Sequence, residues 1–235
     1  MLFGSAPVGP LAARAPKLAA LDTEPLTLPG TQAFRVTYEI ARRDSQTFFP
    51  PALQATVPPL LTWCFHRCTD GPLGAFCMAE TRLHCRSGAR TRTYLLASVI
   101  DSAAAGDALT AGWGFGPRLG ELSLERFYDR VDARASLEGR TILELSMLDP
   151  IPLRSGDIHF APSMHAVHTP KGLRILQVDA RYSAERSERG RPQIHSFSAP
   201  DWLEERLRPV YPVAATFTTA DLTLGALRFM SRPEV

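Results

Sequence analysis

A chain of 235 residues with 45% hydrophobic content can bury a sizeable core, as one large β-rich domain or two small ones, and a single domain is the expectation. The formal net charge is only +2 and the arginines are spread along the whole chain, so no basic stripe is available to follow a phosphate backbone or a lipid surface. Nucleic acid and membrane are therefore not expected as partners, which leaves a small-molecule substrate.

In chain order, the first thirty residues are rich in Ala, Pro, Leu and Gly without steady periodicity. Residues 1–24 read as an N-terminal arm that wraps a neighbour or stays mobile, and residues 25–235 as the one domain. Pro7, Pro10 and Pro16 interrupt the apolar run and no basic residue precedes it, unlike a secretory leader, so a cytoplasmic, reduced protein is expected. Period-two alternation then predicts strands over 33–39, 60–68, 73–85, 91–100, 131–137, 141–147, 158–168, 173–182, 210–218 and 222–229. Asp70-Gly71-Pro72, Ser87-Gly88, Glu138-Gly139 and Pro170-Lys171-Gly172 separate several of these runs with the turn chemistry of antiparallel hairpins. A helix is predicted over 198–208, where Trp202, Leu203 and Leu207 share a face before Pro209, with a shorter one over 43–49 and a charged loop over 183–191. Ten strands with few helices predict a closed or nearly closed barrel, or two packed sheets, because either removes exposed edges. A barrel of this size can hold a small ligand.

The four cysteines, Cys64, Cys68, Cys77 and Cys85, fall in strand segments and read as free thiols. Cys64 and Cys68 lack the paired CxxC knuckles of a zinc site, and His159, His165 and His168 have few acidic companions, so no metal is expected. No phosphate loop, dinucleotide fingerprint or nucleophile elbow is present, and no cofactor is expected.

Several landmarks in order resemble the acetoacetate decarboxylase-like family. Tyr38 closes a first strand, Phe49-Pro50-Pro51-Ala52-Leu53 is similar to the family's Val-Pro-x-Pro-Leu, Leu73-Gly74 opens a strand, and Ile100-Asp101-Ser102 closes another. Gly112-Trp113-Gly114-Phe115-Gly116-Pro117-Arg118-Leu119-Gly120 then resembles the family's Gly-Arg-Glu…Tyr/Phe-Pro-Lys-Lys-Leu motif. The resemblance covers residues 25–232 and implies a β-rich α+β fold, an antiparallel β-barrel or cone with few short helices, a buried cavity and a homo-oligomer for which the arm is a plausible strap.

In that family the lysine after the proline forms a Schiff base with a β-keto acid, and a neighbouring lysine lowers its pKa. Here Pro117 is followed by Arg118 and Leu119, and arginine stays protonated and cannot be that nucleophile. The chain holds twenty-four arginines but only two lysines, Lys17 in the arm and Lys171 in a tight hairpin, both expected to be solvated. By strand register the family's two carboxylates fall near Trp63 and Met78, and Gly112-Trp113-Gly114 replaces Gly-Arg-Glu. These replacements read either as an aromatic-lined pocket formed by Trp63, Phe65, Phe76, Met78 and Trp113, or as core filling.

Strand parity puts Gly74, Phe76, Met78, Glu80, Arg82 and His84 on one face. If that face lines a cavity, Glu80 is a general acid or base whose pKa burial would raise; otherwise it is a rim carboxylate paired with Arg82. Cys64, His66 and Cys68 share a face opposite Trp63 and Phe65, and His66 reads as structural. Arg118 is the other catalytic candidate, a fork able to hold a carboxylate or enolate, or else a surface arginine after a turn. The expected function is a lyase- or cyclase-type enzyme of specialised metabolism, acting non-covalently on a β-keto or polyketide-like substrate by cyclisation, dehydration or decarboxylation. A catalytically silent ligand-binding or partner-stabilising protein is the alternative, and genuine acetoacetate decarboxylase activity comes last.

Overall fold

The computed structural model describes residues 3–18, 20–41 and 45–234, Ser155 in its backbone alone. Helix α1 (Val8–Arg14) and strand β1 (Leu26–Ile40) come first, then a 3-10 turn over Ser45–Phe48. They are followed by β2 (Gln54–Ala55), β3 (Leu60–Cys68), β4 (Phe76–Ser87) and β5 (Arg90–Ile100). Helix α2 (Ala103–Trp113) leads to β6 (Arg118–Leu119), β7 (Glu121–Arg126), β8 (Arg130–Leu137) and β9 (Arg140–Pro152). After β10 (Ser163–Thr169) and β11 (Gly172–Val178) come β12 (Ala180–Phe197), a 3-10 turn over Ala199–Trp202, β13 (Pro209–Leu224) and β14 (Met230–Ser231).

The chain is strand-rich, as alternation predicts, and its strands form one sheet in the order β14-β11-β10-β5-β4-β3-β1-β13-β12-β9-β8-β7, with β2 on β4 and β6 on β5. The β10–β5 and β5–β6 pairs are parallel and the others antiparallel. The β-rich fold is as expected, and of the closed or nearly closed barrel only full closure fails: the ladder ends at β14 and β7 without joining, so the sheet curls back on itself but remains open. Its curl brings β7 against β3, where the Arg67 guanidinium donates to the Leu124 carbonyl at 3.1 Å. The β8–β9 hairpin turns on Glu138 and Gly139, both at positive φ as the tightest hairpins need.

Each central strand buries both faces. Phe34, Val36, Leu61, Trp63, Phe65 and Ala79 face a core completed by β8, β9 and Trp202. Phe76 and Met78 face a second core with Leu109 and Trp113 of α2, Leu222 and Leu224.

Four local expectations change. The Ala- and Gly-rich stretch after Ser102, read as a turn, is helix α2: alanine is the strongest helix former, Ser102 Oγ accepts from the Ala105 amide, and Gly114 at φ 67 caps the far end. The predicted helix over 198–208 shrinks to one 3-10 turn, because Leu203 goes left-handed (φ 63) and the Asp201 carbonyl accepts from Arg118. Of the predicted helix over 43–49, residues 43 and 44 lie outside the described residues and Ser45–Phe48 is a 3-10 turn. The charged loop over 183–191 is the middle of β12, held by ladders to β13 and β9, with buried Glu188 bridged by Arg126 at 2.8 and 2.9 Å and by Arg186 at 2.7 Å.

The described part of the arm packs on its own chain. Gly4 N donates to Leu53 O at 2.7 Å, Leu18 N to His168 O at 2.9 Å, and Leu18 joins the second core. Gly114 matters twice, because its φ is left-handed and an added Cβ would meet Val167 Cγ1 at 2.2 Å. Gly114→Ala is expected to cost about 3 kcal/mol, strain plus overpacking, read from urea denaturation midpoints.

Candidate functional site

Parity along β4 places Phe76, Met78, Glu80 and Arg82 on one face, and the β3 register then decides their neighbours. Cys64 lies opposite Glu80 and His66 opposite Met78, while Ser98 of β5 flanks Glu80 on the other side. Trp63 pairs with Thr81 instead, so Trp63 and Met78 face opposite ways and cannot be the two walls of one cavity. Trp63 and Phe65 belong to the first core, with Trp63 against Phe197 at 4.9 Å and Tyr38 at 6.0 Å. That corrects their assignment to a substrate pocket.

Glu80 is fully buried. Its Oε2 accepts from Arg82 Nε at 2.7 Å and lies 2.6 Å from Arg82 Nη2 in the same ion pair. Its Oε1 lies 3.2 Å from His66 Nδ1, off the hydrogen-bonding line, and both atoms lack a hydrogen-bond partner. His66 Nε2 meets the Tyr182 hydroxyl at 2.9 Å, which gives a chain Tyr182–His66–Glu80–Arg82. Burial alone would raise the Glu80 carboxyl, as expected from sequence, but Arg82 and His66 outweigh it and hold it well below the usual carboxylate range. Glu80 is therefore an ionised acceptor, suited to holding a cationic neighbour or a hydrogen-bond donor, and too weak a base to take a proton itself near neutral pH.

These four side chains form the polar corner of a cavity of about 10 Å3. Leu28, Phe76, Met78, Leu109, Phe115 and Leu222 are among its apolar walls. It is narrow, with room for about one water molecule. Phe76 and Met78 thus lie where the sequence puts them. Trp113 does not line this space; it packs in the second core and its indole N–H donates to Gly225 O at 2.9 Å.

Behind Tyr182, Phe160 stacks at 3.8 Å and Arg35 lies over Phe160 at 4.8 Å. On the β10 side, buried His165 is held at both nitrogens, by Ser163 Oγ and by the Trp113 carbonyl at 2.9 Å. Burial, with Arg82 adding to it, lowers the His165 pKa to about 4 and keeps the ring neutral.

Arg118, the second catalytic candidate, is not brought to Glu80. It borders a separate outer cleft between the arm, β5 and the loop after α2. Its Nη2 donates to the Asp201 carbonyl, and its Nε is buried without a partner. Both lysines are exposed, so no ε-amino group is enclosed. Among the described residues no cluster of three His, Cys, Asp or Glu side chains is arranged to hold a metal ion, and no helix is long and apolar enough to cross a membrane.

Of the residues that line this cavity, sequence reasoning singled out Glu80, Phe76 and Met78, read His66 as structural and did not single out Tyr182. The β3–β4 register carried a signal for His66, two residues from the position opposite Glu80 and on its face. Nothing local marks Tyr182, which arrives from β12 through its pairing with Leu222 of β13.

The open curled sheet with a buried, charged cavity defines an acetoacetate decarboxylase-like fold. It superposes on the crystal structure of acetoacetate decarboxylase from Legionella pneumophila with a TM-score of 0.76, over 91% of this chain and 90% of that one, at 16% identity. The enduracididine biosynthesis enzyme MppR, complexed with the condensation product of pyruvate and imidazole 4-carboxaldehyde, matches with a TM-score of 0.72 over 89% of this chain and 91% of that one, at 17% identity. An acetoacetate decarboxylase-like enzyme from Sphingomonas wittichii RW1 follows at a TM-score of 0.68 and 17% identity, over 89% of this chain and 94% of that one. No curated protein sequence matches the chain. The acetoacetate decarboxylase family model matches residues 9–232, nearly the whole length, and the chain belongs to that family.

Proposed function

We propose that the protein is a small-molecule enzyme of specialised metabolism that works without a Schiff base, moving a proton on a β-keto or polyketide-like substrate bound at Glu80. One observation carries the reading: Glu80 Oε1 and His66 Nδ1 are buried, 3.2 Å apart and without hydrogen-bond partners, at the edge of a cavity. Unsatisfied buried polar atoms are costly, and the hydroxyl of an enol beside them, donating to Glu80 Oε1 and accepting from His66 Nδ1, would satisfy both. In this reading His66, relayed to the Tyr182 hydroxyl, takes or returns the proton on the carbon beside the carbonyl. The Glu80 carboxylate, fixed by Arg82, orients His66. Cyclisation, dehydration and decarboxylation all pass through such an enol. The similarity to MppR, solved with pyruvate bound, supports an oxo-acid-sized head group.

The test is hydrogen–deuterium exchange of pyruvate and acetoacetate in D2O, followed by NMR. The wild type is expected to accelerate exchange beside the carbonyl, and Glu80→Gln to lose about 10²-fold of that acceleration. Borohydride with acetoacetate is expected to leave both lysines unmodified. Exchange indifferent to Glu80→Gln, or a stoichiometric lysine adduct, defeats the proposal. The narrowness of the cavity favours one other reading, a silent binding protein, which is what bound pyruvate without exchange would indicate.

A further inference from the structure

Phe115 is the one residue, among those described, that lines both the inner cavity at Glu80 and the outer cleft. The inner space has a volume of about 10 Å3 and the outer about 260 Å3. The ring is held from several directions. Gly114 and Gly116 bracket it at φ 67 and 55, and side chains at either would run into Val167 or Pro16. Its carbonyl accepts from Ser98 Oγ at 3.0 Å, and Ser98 pairs across the ladder with Glu80 itself. The ring's edge meets His165 at 4.7 Å and 73°, and His165 is pinned at both nitrogens. A side chain placed so firmly between a narrow polar-cornered cavity and a wide cleft decides what spans them.

We propose that Phe115 is the specificity-determining residue of this site, the partition past which an extended substrate must lie. The substrate class has two parts: a compact carbonyl-bearing head that enters toward Glu80 where the Phe115 ring yields, and an acyl or aryl tail running past Phe115 into the outer cleft. There Pro10, Leu11 and Phe48 offer apolar surface, and Arg14 and Arg118 offer charge. The head's position rests on the reading of Glu80 given above; the partition does not.

Two measurements test the two parts separately. Met78→Cys puts a reporter thiol in the inner wall, and its labelling by methyl methanethiosulfonate is followed by peptide mass spectrometry against the native thiols. Adding Phe115→Ala is expected to speed labelling of the introduced thiol about 10-fold, whereas adding Leu11→Ala, which lines the outer cleft and not the inner cavity, leaves it nearly unchanged. Equal rates with and without the Phe115 ring, or equal opening by Leu11→Ala, overturn the partition. Binding of 3-oxobutanoate and 3-oxooctanoate by calorimetry then tests the tail: Phe115→Ala is expected to raise the long-to-short affinity ratio about 10-fold. An unchanged ratio overturns the two-part substrate. Failure of both acids to bind either form, with the labelling result intact, overturns the head at Glu80 and leaves the partition standing.

Discussion

Arg82→Ala is expected to cost the protein about 3–5 kcal/mol of stability, because it leaves the Glu80 carboxylate buried with its guanidinium partner removed. Glu80 is fully buried and Arg82 is 8% exposed, so water cannot replace the guanidinium without opening the sheet. His66 approaches only the other oxygen, off the hydrogen-bonding line, and is no substitute. Removing both charges is a different experiment. Glu80→Leu combined with Arg82→Leu leaves no orphaned charge, and most of the lost stability should return. Urea denaturation of the wild type, both single variants and the double variant measures the coupling. A double variant no more stable than Arg82→Ala would mean that the pair is not energetically coupled. The same cycle bears on function, since a charge pair that is dispensable for stability when removed whole, yet essential for proton exchange, is retained for chemistry.

The second large effect is on pH. His165 and His84 are both held to about 4 by burial, aided at His165 by Arg82 and at His84 by Arg35 and Arg82. The unfolded chain therefore binds more protons than the fold between the ordinary histidine value of 6.5 and about 4. Stability is full above that window and falls as pH drops through it, by roughly 3 kcal/mol for His165. Glu80 acts in the same direction lower down: its folded pKa is depressed, so its contribution is present above 4.5 and is lost as pH falls further. Urea midpoints at pH 7.5, 6, 5 and 4.5 should decline steadily, and His165→Gln should flatten part of the slope. A midpoint constant from pH 7.5 to 5 would contradict the buried, neutral imidazole.

How much of this was legible beforehand follows from which interactions are local. The strand pattern of residues 60–100 can be read directly, because alternation of Trp63, Phe65 and Phe76, Met78 with their neighbours is a property of adjacent residues. The loss of a Schiff-base lysine is likewise a fact of composition, since Lys17 and Lys171 are the only two in the chain. Helix α2 was hidden because alanines without a polar face carry no periodic signal, and the strand over 183–191 because charged residues alternate there on a solvent-facing ladder.

The sequence by itself therefore determined a β-rich member of its family, a face of β4 carrying Glu80, and an arginine, Arg118, after Pro117 with only two lysines in the chain. Only the tertiary structure decided that the sheet stays open, that Trp63 and Phe65 face away from Glu80, and that Arg118 borders a different space. It also decided the ionisation of Glu80. Burial, which parity can suggest, pushes a carboxyl one way, and the Arg82 guanidinium and His66 ring, whose positions depend on register and rotamer, push it further the other way. Parity along one strand fixes which way a side chain points, but what meets it there is set by strands far away in the chain.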